Sequence, residues 1–224
     1  MIAALFSGGK DSTLALHKAS TNMKIDLLIS VIPENDFSYM FHKPNIMLTK
    51  MQAEALNIAH TFVKTKGEKE LELKDLEEAL LENKVDTLIT GAVASNYQKS
   101  RIEALCKKHN IKHYAPLWNI DPIEELNELA MNYNVIITQV SAEGFDESML
   151  GKRIDGEMIK RLIELHKKYR INMLFEGGEA ESFVLDAPLF LKKIEIKKAH
   201  IEKEGSVGRY VIDEAILTSK KQDY

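Results

Sequence analysis

An α/β fold is predicted for the N-terminal half of this 224-residue chain, followed by a smaller α+β C-terminal domain. Three observations carry the prediction. Short apolar runs alternate with stretches of helical spacing as far as residue 115, which implies βαβ units and a parallel sheet covered on both faces. A glycine turn, Ser7-Gly8-Gly9-Lys10-Asp11-Ser12, lies between the first strand and the first helix. After Pro116-Leu117-Trp118-Asn119 the alternation stops, and a boundary falls there, giving domains 1–120 and 121–224.

Strands are expected at Ile2–Phe6, Asp26–Ile32, His60–Lys64, Asp86–Thr90 and Lys112–Ala115. Between them Leu48, Met51, Ala55, Leu56 and Ala59 share one helix face, Leu73, Leu76 and Leu80 a second, and Ile102, Leu105 and Cys106 a third. In the second half Asp121-Pro122 opens a helix carrying Ile123, Leu126 and Ala130. A strand at Val135–Val140, an irregular stretch between Gly144 and Gly151, and a long helix at Gly156–Tyr169 follow. Met173–Phe175 reads as an apolar strand. The tail from Lys192 to Ser219 reads as strands joined at Gly205–Gly208.

Composition excludes several classes. With 45% hydrophobic and 29% charged residues the chain is that of an ordinary globular protein, long enough to bury a sizeable core. A net charge of −4 and no basic tract predict no stable nucleic-acid binding. One cysteine forbids an internal disulfide or a C-x-x-C site. No basic-flanked signal segment opens the chain and no apolar run approaches 18 residues, so a cytoplasmic, non-membrane protein is expected.

Four segments carry chemistry. In Ser7–Ser12, Gly8 and Gly9 allow close backbone approach to an anion and φ > 0 where the turn needs it. The first turn of the following helix offers N–H groups and a positive dipole end. Lys10 adds a mobile positive charge, Ser7 and Ser12 add hydroxyls, and Asp11 can hold a divalent cation. The spacing is not that of a P-loop. Ser38-Tyr39-Met40-Phe41-His42 with Pro44-Asn45 follows the second strand, and either meets a ligand or folds back on the sheet. Gly91 to Glu103 follows the fourth strand. Gly91 permits a tight exit, Ser95 or Asn96 caps a helix, and Arg101 offers a bidentate donor, although spacing alone favours an ordinary capped helix. Glu176-Gly177-Gly178-Glu179-Ala180-Glu181-Ser182 gathers three carboxylates, suited to Mg²⁺, to a cationic group or to general-base work; otherwise it is a turn with an acidic helix start.

The first segment resembles the SGGxDS pyrophosphate loop (PP-loop) of the N-type ATP pyrophosphatases, which cleave ATP between the α- and β-phosphates. SGGKDS, SYMFHKPN, GAVASNYQKSRIEALC, PLW and EGGEAESFVLDAPLF together resemble the diphthine–ammonia ligases (diphthamide-synthesis ATP-binding proteins) over nearly the whole chain. The resemblance implies an adenine-nucleotide α-hydrolase-like, Rossmann-like N-terminal domain that binds ATP. It implies a C-terminal domain that recognises substrate, its EGGE-type loop facing the nucleotide across a cleft, and, with the chain ending at Tyr224, the short form of the family. The implied reaction takes diphthine on elongation factor 2, ammonium and ATP to diphthamide, AMP and pyrophosphate through an acyl-adenylate. Ser7, Gly8, Gly9, Lys10, Asp11 and Ser12 would hold pyrophosphate, with Asp11 on Mg²⁺. His42, Gly91, Ser95, Tyr97, Gln98, Arg101 and Glu103 would line the substrate or nucleotide cleft. Glu176, Gly177, Gly178, Glu179, Glu181 and Ser182 would form the substrate loop, Glu179 or Glu181 supplying a base. Glu176, Glu179, Tyr97 or Trp118 would recognise the trimethylammonium group of diphthine, and backbone near Ser30–Ile32 the adenine.

Two other readings stand beside this one. A PP-loop tRNA-modifying ATP pyrophosphatase is the nearer, but thiolation in that class commonly employs paired cysteines, and Cys106 stands alone on a helix face with Ile102 and Leu105. A non-catalytic adenine-nucleotide-binding protein is the other, against which the acidic EGGEAES loop argues. A histidine metal site is weak, since Asn110 ends the helix between His109 and His113 and no H-E-x-x-H occurs.

Overall fold

The computed structural model describes residues 1–33, 45–65, 71–93 and 96–220. They fall into two compact units, Met1–Asn119 and Ile120–Tyr224. In the first, strands β1 (Ile2–Leu5), β2 (Leu27–Pro33), β3 (Ala59–Thr65), β4 (Thr87–Ile89) and β5 (Lys112–Tyr114) form a parallel sheet in the order β3-β2-β1-β4-β5. Helices α1 (Lys10–Ser20), α2 (Thr49–Leu56), α3 (Leu71–Glu82) and α4 (Asn96–Lys108) alternate with them. This is the Rossmann-like α/β arrangement that the alternation predicts. Ala59 departs from its expected helix face: Asn57 turns left-handed at φ 53 and ends α2, and Ala59 opens β3.

Strand periodicity divides the core. Ala3, Leu27, Ile29, Val31, Val63 and Leu88 meet Leu76 and Leu80 of α3 and Ile102, Leu105 and Cys106 of α4 in one cluster. The alternate residues Ala4, Leu28 and Ile89 stand in register on the opposite face. There α1 contacts β1 and β4 and buries Leu14 and Leu16.

The strand order places a topological switch between β1 and β4. From β1 the chain winds outward through β2 to β3, then returns to β4 on the other side of β1. The carboxyl ends of β1 and β4 therefore open a crevice, the usual ligand site of such sheets.

The second unit is α+β. Strands β6 (Asn134–Val140), β7 (Ala180–Asp186), β8 (Lys192–Glu204) and β9 (Val207–Ser219) form an antiparallel sheet in the order β7-β6-β9-β8. Helix α5 (Pro122–Asn132) starts where Asp121 accepts from the N–H groups of Ile123 and Glu124 at 2.9 and 3.0 Å, with Pro122 in the first turn. Helix α6 (Gly156–Tyr169) is capped by Asp155 in the same way and buries Met158, Ile159 and Leu162. One expected strand is absent: Met173–Phe175 forms turns, and β7 begins only at Ala180.

Leu80 is almost fully buried between α3 and the sheet. Leu80→Ala is expected to cost about 2–5 kcal/mol of stability, read as a lower urea midpoint with an unchanged slope.

Candidate active site

Chain geometry at the end of β1 builds a tight turn into α1. Phe6 still pairs with β2, its N–H donating to Ile29 O at 2.8 Å. The chain then turns through Gly8 at φ +77, and Gly9 in extended conformation precedes the first residue of α1. Of the two glycines only Gly8 uses positive φ. The N-cap residue of α1 is Gly9, which has no side chain with which to cap the helix's positive end. The Ser7 and Ser12 hydroxyls lie 3.2 Å apart across the turn, and Ser12 Oγ donates to Gly9 O at 3.1 Å.

Lys10 differs from its expected mobility. Its side chain is fully buried, with Nζ paired to the carboxylate of Asp11, which is partly exposed. The cation is thus fixed at the helix start, and Asp11 answers it from the solvent side.

Two close approaches fix the loop. A Cβ on Gly91, just past β4, would stand 2.7 Å from Asp11 C and from Ser12 N. The exit of β4 therefore lies backbone to backbone against the first turn of α1, as glycine alone allows. On the other side a Cβ on Gly8 would stand 2.2 Å from Gln52 Oε1, and Gln52 Nε2 donates to Gly8 O at 2.9 Å.

Behind the loop lies a polar network. Ser30 Oγ donates to Phe6 O at 2.5 Å, and Thr49 Oγ1 donates to Ile46 O at 2.6 Å. His60 Nε2 is 2.8 Å from Ser30 Oγ and 3.3 Å from Thr49 Oγ1. Each hydroxyl has one hydrogen and both are spent, which assigns the proton to Nε2. Burial, with Lys50 nearby, lowers the His60 pKa and keeps the ring neutral.

In the second unit the acidic segment separates into parts with different duties. Glu179 Oε1 accepts from Asn172 N at 2.6 Å and Oε2 from Gly177 N at 2.9 Å. That carboxylate closes the turn, helped by left-handed Phe175 at φ 69 and Gly178 at φ 79. Glu181 is instead a residue of β7, in register with Gln139 of β6, which is in register with Arg209 of β9. Arg209 Nε donates to Gln139 Oε1 at 3.1 Å and Nη1 to Glu204 Oε2 at 3.0 Å. Burial pushes the Glu181 carboxyl up to about 7, with Arg209 opposing the rise.

Family models match both units in turn. The diphthamide synthase N-terminal domain matches residues 1–113 and the diphthamide synthase C-terminal domain residues 121–218. The chain belongs to the diphthamide synthase family. It is 33% identical to the diphthine–ammonia ligase of Rattus norvegicus over 86% of this chain and 81% of that one. It is also 33% identical to that of Homo sapiens, over 89% and 84%. A relative from Schizosaccharomyces pombe is 30% identical over 92% of this chain, which spans 37% of its length. A solved structure, described as a predicted subunit of tRNA methyltransferase from Methanocaldococcus jannaschii, is similar at a TM-score of 0.44 and 16% identity, over 84% of this chain and 97% of that one.

In this member of the diphthamide synthase family the loop Ser7–Ser12 and Gly91 come together. Arg101 and Glu103 lie on α4, which also begins with Asn96 and carries Tyr97 and Gln98. His42, with the rest of 34–44, and Ser95 lie outside the described residues. Ser182 faces Ile137 in the β6–β7 register, and Glu176 lies in the turn before Gly177. The acidic segment runs into a strand rather than a helix, so its carboxylates do not cap a helix dipole. Cys106 is buried in the α3–α4 core, and its thiol is pushed up to about 11 by burial, which keeps it protonated. His109 points to Glu77, while His113 Nε2 lies 2.8 Å from Thr90 Oγ1. Sequence patterns missed Gln52, Thr49 and His60; the available signal was a polar pair, 49 and 52, on the buried face of a helix.

Gly91→Ala is expected to displace the start of α1 and cost about 1–3 kcal/mol in chemical denaturation, whereas Gly156→Ala, whose Cβ meets nothing within 4 Å, is expected to cost far less. For Glu181 the raised pKa means that the folded state favours the protonated form. The stability it contributes is complete below about 4.5 and is lost as pH rises through about 7. Thermal melts at pH 4.5 to 8.5 should show wild type losing ground to Glu181→Gln across that window; parallel profiles would refute the shift.

Proposed function

We propose that the chain is an ATP-dependent carboxylate–ammonia ligase that converts diphthine on elongation factor 2 to diphthamide, releasing AMP and pyrophosphate. The observation that carries this is the loop at the end of β1: a buried Lys10 at an uncapped helix start, held against Gly91 at the switch between β1 and β4. Fixed cation, helix dipole and hydroxyls converge where a leaving pyrophosphate needs them, and cost no reorganisation as its charge develops. The names of the relatives supply the acid and the amine: a diphthine carboxylate and ammonia.

In this mechanism a carboxylate oxygen of diphthine attacks the α-phosphorus of ATP. The bond from that phosphorus to the bridging oxygen breaks, and pyrophosphate leaves on Ser7–Ser12, giving an acyl-adenylate. Ammonia then attacks the acyl carbon and AMP departs. Ammonium must first lose a proton. Glu181 fits that duty better than Glu179, because its carboxyl titrates near neutrality while both oxygens of Glu179 hold backbone N–H groups. Residues 1–120 serve as the ATP-binding domain and 121–224 as the substrate-recognition domain.

Among the described residues no three His, Cys, Asp or Glu side chains gather as a metal cage. Mg²⁺ rarely needs one, since it takes one or two carboxylates together with substrate phosphates. Asp11, partly exposed beside the loop, fits that donor set. Bound there with ATP, Mg²⁺ would supply charge neutralisation for the outer phosphates. No helix among the described residues is long and apolar enough to cross a membrane.

Incubation with diphthine-bearing elongation factor 2, ATP, Mg²⁺ and ammonium should convert the carboxylic acid to the carboxamide by mass spectrometry, with AMP as nucleotide product. ADP formation, or AMP formation driven by tRNA instead, would defeat the proposal. Lys10→Met is expected to keep the fold and lower AMP production roughly 10²-fold or more.

A further inference from the structure

We infer that the Trp118 ring and the Glu103 carboxylate form the seat for a quaternary ammonium group, the trimethylammonium of diphthine, and that the Lys99 ammonium occupies this seat as its stand-in. The inference rests on the function proposed above, and names the substrate-recognising residues of the same site.

Lys99 Nζ lies 3.7 Å from the centroid of the Trp118 ring and 3.4 Å from Glu103 Oε1. Lys99 and Glu103 are one turn apart on α4, so a cation, an anion and an aromatic face meet at one point. The backbone that carries the ring is held in place. Leu117 beside it is fully buried, Trp118 N donates to Ala115 O at 3.2 Å, and left-handed Asn119 donates its N–H to Val93 O at 3.0 Å. On its other side Glu103 lies 3.9 Å from His113 Nδ1. Burial, aided by Lys99 against the pull of Glu103, lowers the His113 pKa, so this ring is neutral near pH 7. Within the group one carboxylate therefore answers one cation.

A primary ammonium uses this position poorly. It has three N–H donors, and a ring face offers none of them an ordinary acceptor. A quaternary ammonium has no donors to satisfy, and is drawn to an aromatic face and a carboxylate by charge alone. The pair that holds Lys99 is of the weak, partly exposed i,i+4 kind, readily displaced by a better-matched cation.

Position supports the same occupant. In diphthine the quaternary nitrogen and the reacting carboxylate share one carbon, so the cation's seat must adjoin the point of adenylation. Trp118 is tied through Asn119 to Val93, two residues beyond Gly91, whose backbone touches Asp11 and Ser12 of the pyrophosphate loop.

Trp118 is the chain's single tryptophan, so its fluorescence reads the seat directly. The full chain is titrated with tetramethylammonium chloride, with sodium and ammonium chloride as ionic-strength controls. The expected result is a saturable change for tetramethylammonium alone, about tenfold tighter in Lys99→Ala and several-fold weaker in Glu103→Gln. An unsaturable response, or weaker binding in Lys99→Ala, overturns the inference. In turnover assays Trp118→Leu should raise KM for the diphthine-bearing protein about tenfold while KM for ATP holds, and Trp118→Phe should restore most of the loss. AMP formation by wild type with KM unmoved in Trp118→Leu removes the seat and keeps the ligase. Saturable titration without AMP formation removes diphthine as the occupant.

Discussion

The contact between the exit of β4 and the first turn of α1 is the constraint on which the candidate site depends. Two backbones meet there with no side chain between them, at a distance a single Cβ on Gly91 would violate. Because β4 is the neighbour of β1 in the sheet, the contact converts sheet order into local geometry: the loop cannot drift from the crevice. The opposite side of the loop is pinned as tightly. Gly8 turns at positive φ, and its carbonyl is taken by a buried Gln52 whose amide oxygen fills the space where a side chain would begin. A loop clamped from both flanks is ordered in advance, so binding there would not pay its ordering entropy.

Lys10 is enclosed within the same clamp. Removing an ammonium from water costs several kcal/mol even after relaxation, and the Asp11 carboxylate paired with Lys10 offsets part of that. Apolar packing at the same position would stabilise the fold at least as well. A buried lysine at a helix start, where the dipole also disfavours positive charge, is therefore not accounted for by fold stability alone.

Much of this was legible in the chain. The strand–glycine–helix sequence at Ser7–Ser12 carries its own geometry, and the 3.6-residue spacing of Leu73, Leu76 and Leu80 placed α3 against the sheet. Asp121 and Asp155 marked helix starts because their short carboxylates satisfy first-turn N–H groups. What could not be read was tertiary in origin. Nothing local says that Gln52, 44 residues away, holds Gly8, or that His60 and Thr49 brace Ser30 behind Phe6. Nor did composition reveal that Lys10 is enclosed, since only the packing of α1 on β1 and β4 decides it. Met173–Phe175 misled because three apolar residues fit a buried strand as well as a turn. Asn172 settles the choice by accepting Leu174 N at 2.8 Å from its side chain, the short-range bond that makes asparagine a turn former.

Glu179 and Glu181 show how two like residues acquire different chemistry from one turn. Glu179 sits where the chain reverses, and its two oxygens accept N–H groups of the reversal, two charge-assisted bonds that hold the turn. Two residues later the chain has joined β7, and Glu181 lies in the row that Gln139 and Arg209 continue across β6 and β9. Arg209 is not spent wholly on Glu181: it also bonds Gln139 and Glu204, so its attraction only partly offsets desolvation. A carboxyl that titrates near neutrality is the result. The carboxylate in the turn is thus committed to backbone N–H groups, while the one in the strand is pushed toward neutrality by its burial.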